Sequence, residues 1–313
     1  EESGAQAGIE TMYISTVDDF IEFAANCYID SWSVNKKIVL RNNLDFTGRE
    51  LVMVPVFAGE FDGNGHTISG IDFTGESYVT AIFRYVEENG VIDSLNVKGN
   101  IAALDEQECV GGIVGSNYGT IKNCSFEGTV NGKNTIGGIA AFNKSTGVIK
   151  RCEVRGRITG SYYTGGITGI NHGIINNCAN AAGINDDSAW VESEDENSSN
   201  IIGNITGNES SSIRSGIDTG GISGFSDGII ASCNNNGQVG YEHVGYNIGG
   251  IAGRQSGIIL SCVNEGKVFG RKDIGGIVGQ MEPYIEIVAA ETIRNSVDEL
   301  HDILDRTFDD LTA

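Results

Sequence analysis

The apolar residues of this chain fall in short runs of four or five positions, and glycines bound most of these runs. Runs this short favour buried strands, because helices need longer stretches with a helical period. A Gly-Gly-Ile motif recurs six times, with spacings between first glycines of 26, 28, 55, 29 and 26 residues. The first glycines are Gly111, Gly137, Gly165, Gly220, Gly249 and Gly275. This period predicts a coil with three strands per turn, in which each turn pairs with the next.

Five of the six copies continue into a second pattern that ends on cysteine. The five cysteines are Cys124, Cys152, Cys178, Cys233 and Cys262. The spacing gives one thiol per turn and no CxxC pair, which disfavours a metal site. Residues stacked in neighbouring turns also fit disulfide geometry poorly. We therefore predict a structural ladder of buried free thiols, and we predict no pairing for Cys27 and Cys109.

Asparagine occupies one fixed offset in the first three copies of the repeat. Asn117, Asn143 and Asn171 each lie six residues after the first glycine, and Ser226 and Gln255 take this place later. Stacked amides in a β-coil can hydrogen-bond along the stack, so a structural role is predicted for them. His172 fills the slot that Tyr118 fills two copies earlier and is interpreted as a turn residue.

The repeat predicts an all-β fold, a right-handed parallel β-helix with rungs of about 26–29 residues. It spans residues 37–282, with degenerate rungs in 37–109 and regular repeats in 110–282. Residues 15–36 are predicted to cap the coil with a short amphipathic helix, for which Thr16 is a good N-cap residue. Residues 1–14 are interpreted as the flexible N-terminus of a mature, secreted chain.

An acidic stretch interrupts the repeat at residues 184–215 as an insertion. Its acidic candidates for binding are Asp186, Asp187, Glu194, Asp195 and Glu196. A solvated loop explains this stretch, and a calcium site or a contact with a partner is the alternative, although no specific calcium motif is present.

Tyrosines precede two of the Gly-Gly pairs. Tyr162 and Tyr163 lie before one pair, and Tyr241 and Tyr246 lie before another. Exposed aromatic rings at corresponding corners could stack on sugar rings, and packing of the rings on neighbouring turns is the alternative. These four residues are the candidates for carbohydrate binding.

The pattern changes after Pro283. Ile293, Val297, Leu300, Leu304 and Leu311 form a heptad seam with acidic flanks. Residues 283–313 are therefore predicted to form an amphipathic helix. It begins a coiled coil through which the chain could self-associate, or it folds back as a cap.

The composition disfavours some classes of partner but does not identify one. The chain has 45 glycines in 313 residues, about twice the usual share, and a formal net charge of −22. Such a charge disfavours nucleic acid and anionic membranes as partners. No run of about twenty apolar residues occurs, so membrane anchoring would need parts outside this segment.

No catalytic constellation stands out in the sequence. Right-handed β-helices often host polysaccharide lyases and glycosidases, and Asp62, His66 and Asp72 form the nearest candidate group. The Asp62–Gly65 segment, however, is typical of a turn. A metallopeptidase HExxH motif is absent. We therefore expect no enzymatic activity and no cofactor.

The segment GGIVGSNYGTIKNCSFEGTVNG, residues 111–132, closely resembles the GLUG motif. This motif occurs in surface proteins and adhesins of Gram-positive bacteria, including gut Firmicutes, and in non-catalytic regions of some bacterial IgA-cleaving peptidases. The resemblance implies a β-helix that is secreted or attached to the cell surface. It predicts a non-catalytic extracellular module, an adhesin-like stalk or display scaffold whose partner is a host or bacterial glycan or protein. A carbohydrate-binding or carbohydrate-processing β-helix is the alternative.

Overall fold

The computed structural model describes residues 9–75, 77–103, 109–187 and 216–283. Within these residues the chain winds as a parallel β-solenoid, and strands of consecutive turns pair in parallel in four sheets. Sheets 1 to 4 are named here in the order in which one turn of the chain meets them. No helix in the described part of the chain is both long and apolar enough to cross a membrane.

Sheets 1 and 2 flank the Gly-Gly corner of each turn. The strands of sheet 1 are β7 Val79–Thr80, β11 Cys109–Gly111, β15 Thr135–Gly137, β19 Tyr162–Gly165, β24 Ile217–Gly220, β28 Tyr246–Gly249 and β32 Lys272–Gly275. The strands of sheet 2 are β4 Val54–Phe57, β8 Phe83–Val86, β12 Val114–Asn117, β16 Ala140–Asn143, β20 Thr168–Asn171, β25 Ser223–Ser226, β29 Ala252–Gln255 and β33 Val278–Met281.

Sheets 3 and 4 complete each turn. The strands of sheet 3 are β1 Glu10–Ile14, β2 Lys36–Leu40, β5 Glu60–Asp62, β9 Val91–Asp93, β13 Thr120–Lys122, β17 Val148–Lys150, β21 Ile174–Asn176, β26 Ile229–Ala231 and β30 Ile258–Leu260. The strands of sheet 4 are β3 Leu44–Asp45, β6 Thr67–Gly75, β10 Asn96–Ala103, β14 Ser125–Asn131, β18 Glu153–Thr159, β22 Ala179–Asn180, β23 Gly183–Ile184, β27 Asn234–Asn235 and β31 Val263–Asn264.

A complete turn therefore holds four strands, which corrects the expectation of three. The difference arises at the Gly-Gly pair, where the chain bends sharply between a strand of sheet 1 and a strand of sheet 2. A Cβ atom on Gly138 would lie 2.3 Å from the carbonyl oxygen of Gly166 in the next turn. Only glycine allows the turns to stack this closely at the corner.

Large apolar side chains stack along the interior of the solenoid from turn to turn. The clearest stack lies in sheet 3, where the middle residues of successive strands are paired and at most 1% exposed. Its members are Ile38, Phe61, Ile92, Ile121, Ile149, Ile175 and Ile230. The degenerate repeats before Gly111 keep this register. They therefore form turns of the same coil.

Polar ladders run beside the apolar core. The predicted amide ladder is confirmed, since Asn117 donates to Asn143 at 2.9 Å, Asn143 to Asn171 at 2.8 Å and Asn171 to Ser226 at 3.0 Å. A second ladder was not predicted, in which Asn180 donates to Asn235 and Asn235 to Asn264, both at 2.8 Å. The ladders pair buried amides that would otherwise cost stability, and among them the Asn117 Oδ1 atom, at the start of the first ladder, is left buried without a hydrogen-bond partner.

The first turn is covered by helix α1, Val17–Asn26. Thr16 caps it as predicted, because its side chain accepts from the Asp19 N–H while Asp19 accepts from the Thr16 N–H. Phe20 and Phe23 pack against aromatic rings of the first turns. The predicted flexible terminus is corrected for Glu10–Ile14, which form β1 and pair with β2. Sheet pairing orders this segment because it extends the edge of sheet 3.

The spacing of 55 residues between Gly165 and Gly220 is one turn plus an insertion. Strand β19 pairs directly with β24, so no turn lies between them. The predicted insertion therefore begins after Ile184, which still pairs with Ile158 in sheet 4. Residues 188–215 lie outside the described residues, as does the predicted coiled-coil segment from residue 284 to 313.

Candidate ligand-binding surface

One row of side chains on sheet 2 faces away from the main core. It consists of the third residue of each strand, and register aligns these residues from turn to turn. The row, called the outer row below, contains Tyr85, Ser116, Phe142, Ile170, Phe225 and Arg254. All except Ser116 are partly exposed, whereas the first and last residues of the same strands are buried.

Aromatic residues occupy every second position of the outer row. Tyr85, Phe142 and Phe225 are separated from each other by one intervening turn, which carries Ser116 or Ile170. Turns stack at about 4.8 Å, so successive rings in this row lie about 10 Å apart. Tyr85 and Phe142 also pack against a small cluster outside the main core, formed by Val79, Cys109 and Ala141. These contacts limit the movement of the two rings.

Each of the three rings has a basic side chain placed over it. The guanidinium of Arg84 lies 5.3 Å from the Tyr85 ring centroid, and Lys144 Nζ lies 4.2 Å from the Phe142 centroid. The Arg254 guanidinium lies 4.7 Å from the Phe225 centroid. Distances below about 6 Å allow cation–π attraction. The outer row thus carries three cation–aromatic pairs, one for every two turns.

Two of these cations have no carboxylate partner in the part of the chain that the structure describes. Among the described residues, no carboxylate lies within ion-pair distance of Arg84 or Lys144, and the Arg84 Nε atom is buried without a hydrogen-bond acceptor. The acidic residues in register with Lys144 at this corner are Glu87, which is exposed and two turns earlier, and Asp227, which is two turns later. The chain as a whole has a net charge of −22, so two cations without carboxylate partners on one row are a local exception to its acidic character.

Arg254 differs because carboxylates neutralise it. Its guanidinium pairs with Asp218 and Glu282, each at 3.0 Å. Asp218 is almost fully buried and also accepts from Asn247 at 2.7 Å. Burial raises the pKa of Asp218, although Asn247 and Arg254 both oppose this shift. The Arg254 guanidinium also lies 6.0 Å from the Tyr163 ring centroid, at this end of the row.

His172 lies at the same corner as Lys144, one turn further along. Its Nδ1 atom is 2.7 Å from Asp227, and its ring is 6.3 Å from that of Phe225. The sequence places His172 in the slot of Tyr118, and the hydrogen-bond register agrees with this interpretation. The contact with Asp227 was not predicted, because the two residues are 55 positions apart.

The four tyrosines proposed from sequence lie at the corner between sheets 4 and 1. Tyr162 and Tyr246 occupy one row, with Ile217 in register between them. Tyr162 is 39% exposed, while Tyr246, Tyr241 and Tyr163 are only partly exposed. Tyr163 turns towards Phe225, with 6.5 Å between ring centroids. The structure therefore brings only Tyr163 next to the outer row.

The acidic candidates are only partly described. Asp186 and Asp187 pair with the same guanidinium, that of Arg157, at 2.9 and 2.6 Å. Glu194, Asp195 and Glu196 lie outside the described residues. No group of three or more His, Cys, Asp or Glu residues that could hold a metal ion occurs in the described ranges.

The five repeat cysteines lie in register, one per turn, with free thiols. The backbone N–H groups of Cys152, Cys178 and Cys233 each donate to the sulfur of the cysteine in the next turn, at 3.4–3.5 Å. Burial raises the pKa of the Cys152 thiol. Cys27 and Cys109 are also free and buried, and burial raises the pKa of Cys27 to about 12.

The candidate catalytic group does not assemble. Asp62 lies in sheet 3, where Lys37 is 3.2 Å away, while Asp72 lies in sheet 4. Asp62 accepts from the Asn64 N–H, as expected for a turn. His66 contacts Asn43 at 3.3 Å.

The comparisons with known proteins agree with this architecture. A family described as the GLUG motif matches residues 106–131. The chain is 38% identical over 85 residues to Halomucin of Haloquadratum walsbyi, covering 26% of this chain and 1% of that protein. It is 35% identical over 74 residues to the "Putative Gly-rich membrane protein" of Evansella cellulosilytica, covering 23% of this chain and 8% of that protein.

A solved structure supports the fold over most of the chain. The crystal structure of a putative immunoglobulin A1 protease from Bacteroides ovatus aligns with a TM-score of 0.59 and 17% identity. The alignment covers 87% of this chain and 83% of that chain. At this identity the likeness establishes a shared β-solenoid fold. The two curated relatives named above are far longer than the segments that match them.

Proposed function

We propose that this chain is a non-catalytic extracellular β-helix module, an adhesin-like display scaffold whose binding face is the outer side of sheet 2. The outer row carries this proposal, because its aromatic and basic side chains are partly exposed and lie outside the main core. In this proposal the coil is right-handed and keeps the row straight and rigid.

Relatives named Halomucin and a Gly-rich membrane protein support a position at the cell surface. The formal net charge of −22 keeps the module strongly negative, which favours solubility outside the cell. Attachment to a cell would require parts outside this segment. Self-association through residues 283–313, and an origin in Gram-positive gut bacteria, belong to the same proposal.

Carbohydrate is the ligand class that the outer row favours. Aromatic faces stack on the apolar faces of sugar rings, and such faces recur here at a fixed spacing. The enzymatic alternative, a polysaccharide lyase or glycosidase, would use the His172–Asp227 pair and the carboxylates beside Arg254. Those carboxylates are already engaged in charge pairs, which favours binding without turnover.

An array of glycans and host proteins, probed with the whole chain, tests the proposal. Defined binders are expected, and none of the bound glycans should be cleaved on long incubation. Release of unsaturated or reducing sugars from any bound glycan would contradict the non-catalytic role. An array without binders would contradict the adhesin-like role.

A further inference from the structure

We propose that the outer row binds an extended acidic polysaccharide that carries one carboxylated sugar per disaccharide and lies parallel to the solenoid axis. This inference rests on the proposed function and names its ligand class. It follows from the spacing, the chemistry and the charge of the three cation–aromatic pairs formed by Tyr85, Phe142 and Phe225 with their basic partners.

The spacing selects a repeating ligand. Successive rings of the outer row lie two turns apart, which is about 10 Å. This distance is comparable to the length of one disaccharide in an extended glycan with diequatorial linkages. A chain laid along the row would therefore present every second sugar to a ring. Three rings correspond to three disaccharides, so a hexasaccharide should fill the site.

The chemistry of each pair selects an acidic sugar. A ring offers a flat apolar surface to a pyranose face, and the cation beside it can pair with a carboxylate on the same sugar. Lys144 is the clearest example, because it lies 4.2 Å from the Phe142 centroid and has no carboxylate partner among the described residues. Arg84 repeats this arrangement, since its guanidinium lies 5.3 Å from the Tyr85 centroid and also has no carboxylate partner among the described residues.

The third pair has a different charge state. Arg254 is already neutralised by Asp218 and Glu282, so Phe225 offers mainly a stacking surface. The end of the row near Tyr85 and Phe142 should therefore contribute most of the charge recognition. Glu87, exposed at the adjacent corner, opposes an anionic ligand there. Removing its charge should strengthen binding.

Isothermal titration of the whole chain with hyaluronan fragments tests this assignment. Hyaluronan alternates a carboxylated sugar with a neutral amino sugar, and its hexasaccharide should bind more tightly than its tetrasaccharide. A chondroitin sulfate hexasaccharide tests whether an added sulfate matters. Chitohexaose, which is neutral, and polyglutamate, which has carboxylates but no rings, should both bind at least about fivefold more weakly.

Substitutions locate the site. Phe142→Ala and Lys144→Gln should each weaken hyaluronan hexasaccharide binding by about fivefold, and Glu87→Gln should strengthen it. Lys150→Gln is the matched control, because Lys150 lies on sheet 3, in register with Lys122 and Asn176 rather than with an aromatic residue. Lys144→Gln keeps the test valid if Phe142→Ala disturbs packing against the small cluster around Ala141.

Weaker binding by the Phe142 and Lys144 variants, with Lys150→Gln unchanged, would support the assignment. Equal binding of polyglutamate or chitohexaose, unchanged binding by both variants, or no binding of either acidic hexasaccharide would overturn it. If other glycans on the array still bound without cleavage, the proposed function would stand and its ligand would lie elsewhere. Cleavage of a bound glycan would instead reject the proposed function itself.

Discussion

Lys144 lies over the ring of Phe142, with 4.2 Å between its Nζ atom and the ring centroid. The two residues are separated in the sequence only by Asn143, which is fully buried in the amide ladder. The buried amide fixes the strand end, so the two flanking side chains are both directed outwards. A structural ladder thereby positions the residues of the candidate binding surface.

The second glycine of a Gly-Gly pair should be required where the backbone of the next turn lies directly against it. Gly138→Ala would bring its Cβ atom to 2.3 Å from the Gly166 carbonyl oxygen, while a Cβ atom on Gly276 has no atom of the described residues within 4 Å. We expect Gly138→Ala to lower the free energy of unfolding by about 1–3 kcal/mol or more. Gly276→Ala should change it by less than about 0.5 kcal/mol. Urea unfolding of both variants measures this, and equal losses would contradict the stacking account.

The amide ladder should contribute to stability through its buried position. Asn143→Ala removes the acceptor of the Asn117 amide and the donor to Asn171, and it should cost about 1–3 kcal/mol for each group left unpaired. Asn100 is the control, since this exposed residue also accepts one hydrogen bond, from Thr129 at 2.8 Å. Asn100→Ala should cost less than about 0.5 kcal/mol in the same urea titration. Similar losses for both would show that burial of the ladder is unimportant.

The buried thiols should resist alkylation in the folded protein. Six of the seven thiols are buried and so out of reach of a reagent in solvent, and burial also raises the pKa of Cys152 and, to about 12, that of Cys27. Iodoacetamide at pH 8 should therefore modify at most the partly exposed Cys262 in native protein. All seven cysteines should react after denaturation without reductant. Mass spectrometry counts the adducts, and fewer than seven in the denatured chain would indicate disulfides instead of a thiol ladder.

Asp218 should make stability depend on pH. Its folded pKa is raised by burial, so its contribution to stability is complete below the unfolded value of 3.8 and is lost as pH rises through the folded pKa. Asp218→Asn cannot ionise. The stability of this variant relative to the parent chain should therefore increase as pH rises above about 4. Thermal unfolding of both proteins at several pH values tests this, and a constant difference would contradict it.

The repeating turns could be predicted from sequence because each of their positions recurs. Gly138, Ile149 and Asn143 each have counterparts one period away, and stacking explains all three. β1 was missed because it lies before the helix and outside the periodic pattern. The split of each turn into four strands was missed because Gly-Gly was interpreted as a single corner within a three-stranded turn.

The outer row could not be predicted from a single period. Tyr85, Phe142 and Phe225 occupy the same position only in alternate turns, and an insertion separates the last two. Their basic partners come from different offsets, since Arg84 precedes its ring and Lys144 follows by two residues. Only the register of the sheet brings them into one line. The available signal was the aromatic residue at the same offset in alternate turns, at Tyr85, Phe142 and Phe225.

Hydrogen–deuterium exchange with and without hyaluronan hexasaccharide tests the location of the binding face most directly. The turns that follow sheet 2, at residues 87–90 and 144–147, border the outer row. We expect slower exchange there with the ligand, and unchanged exchange in the turns between sheets 3 and 4, at residues 94–95 and 151–152. Protection confined to other surfaces, or the absence of any protection under conditions in which the hexasaccharide is bound, would contradict the assignment of the outer side of sheet 2 as the binding face.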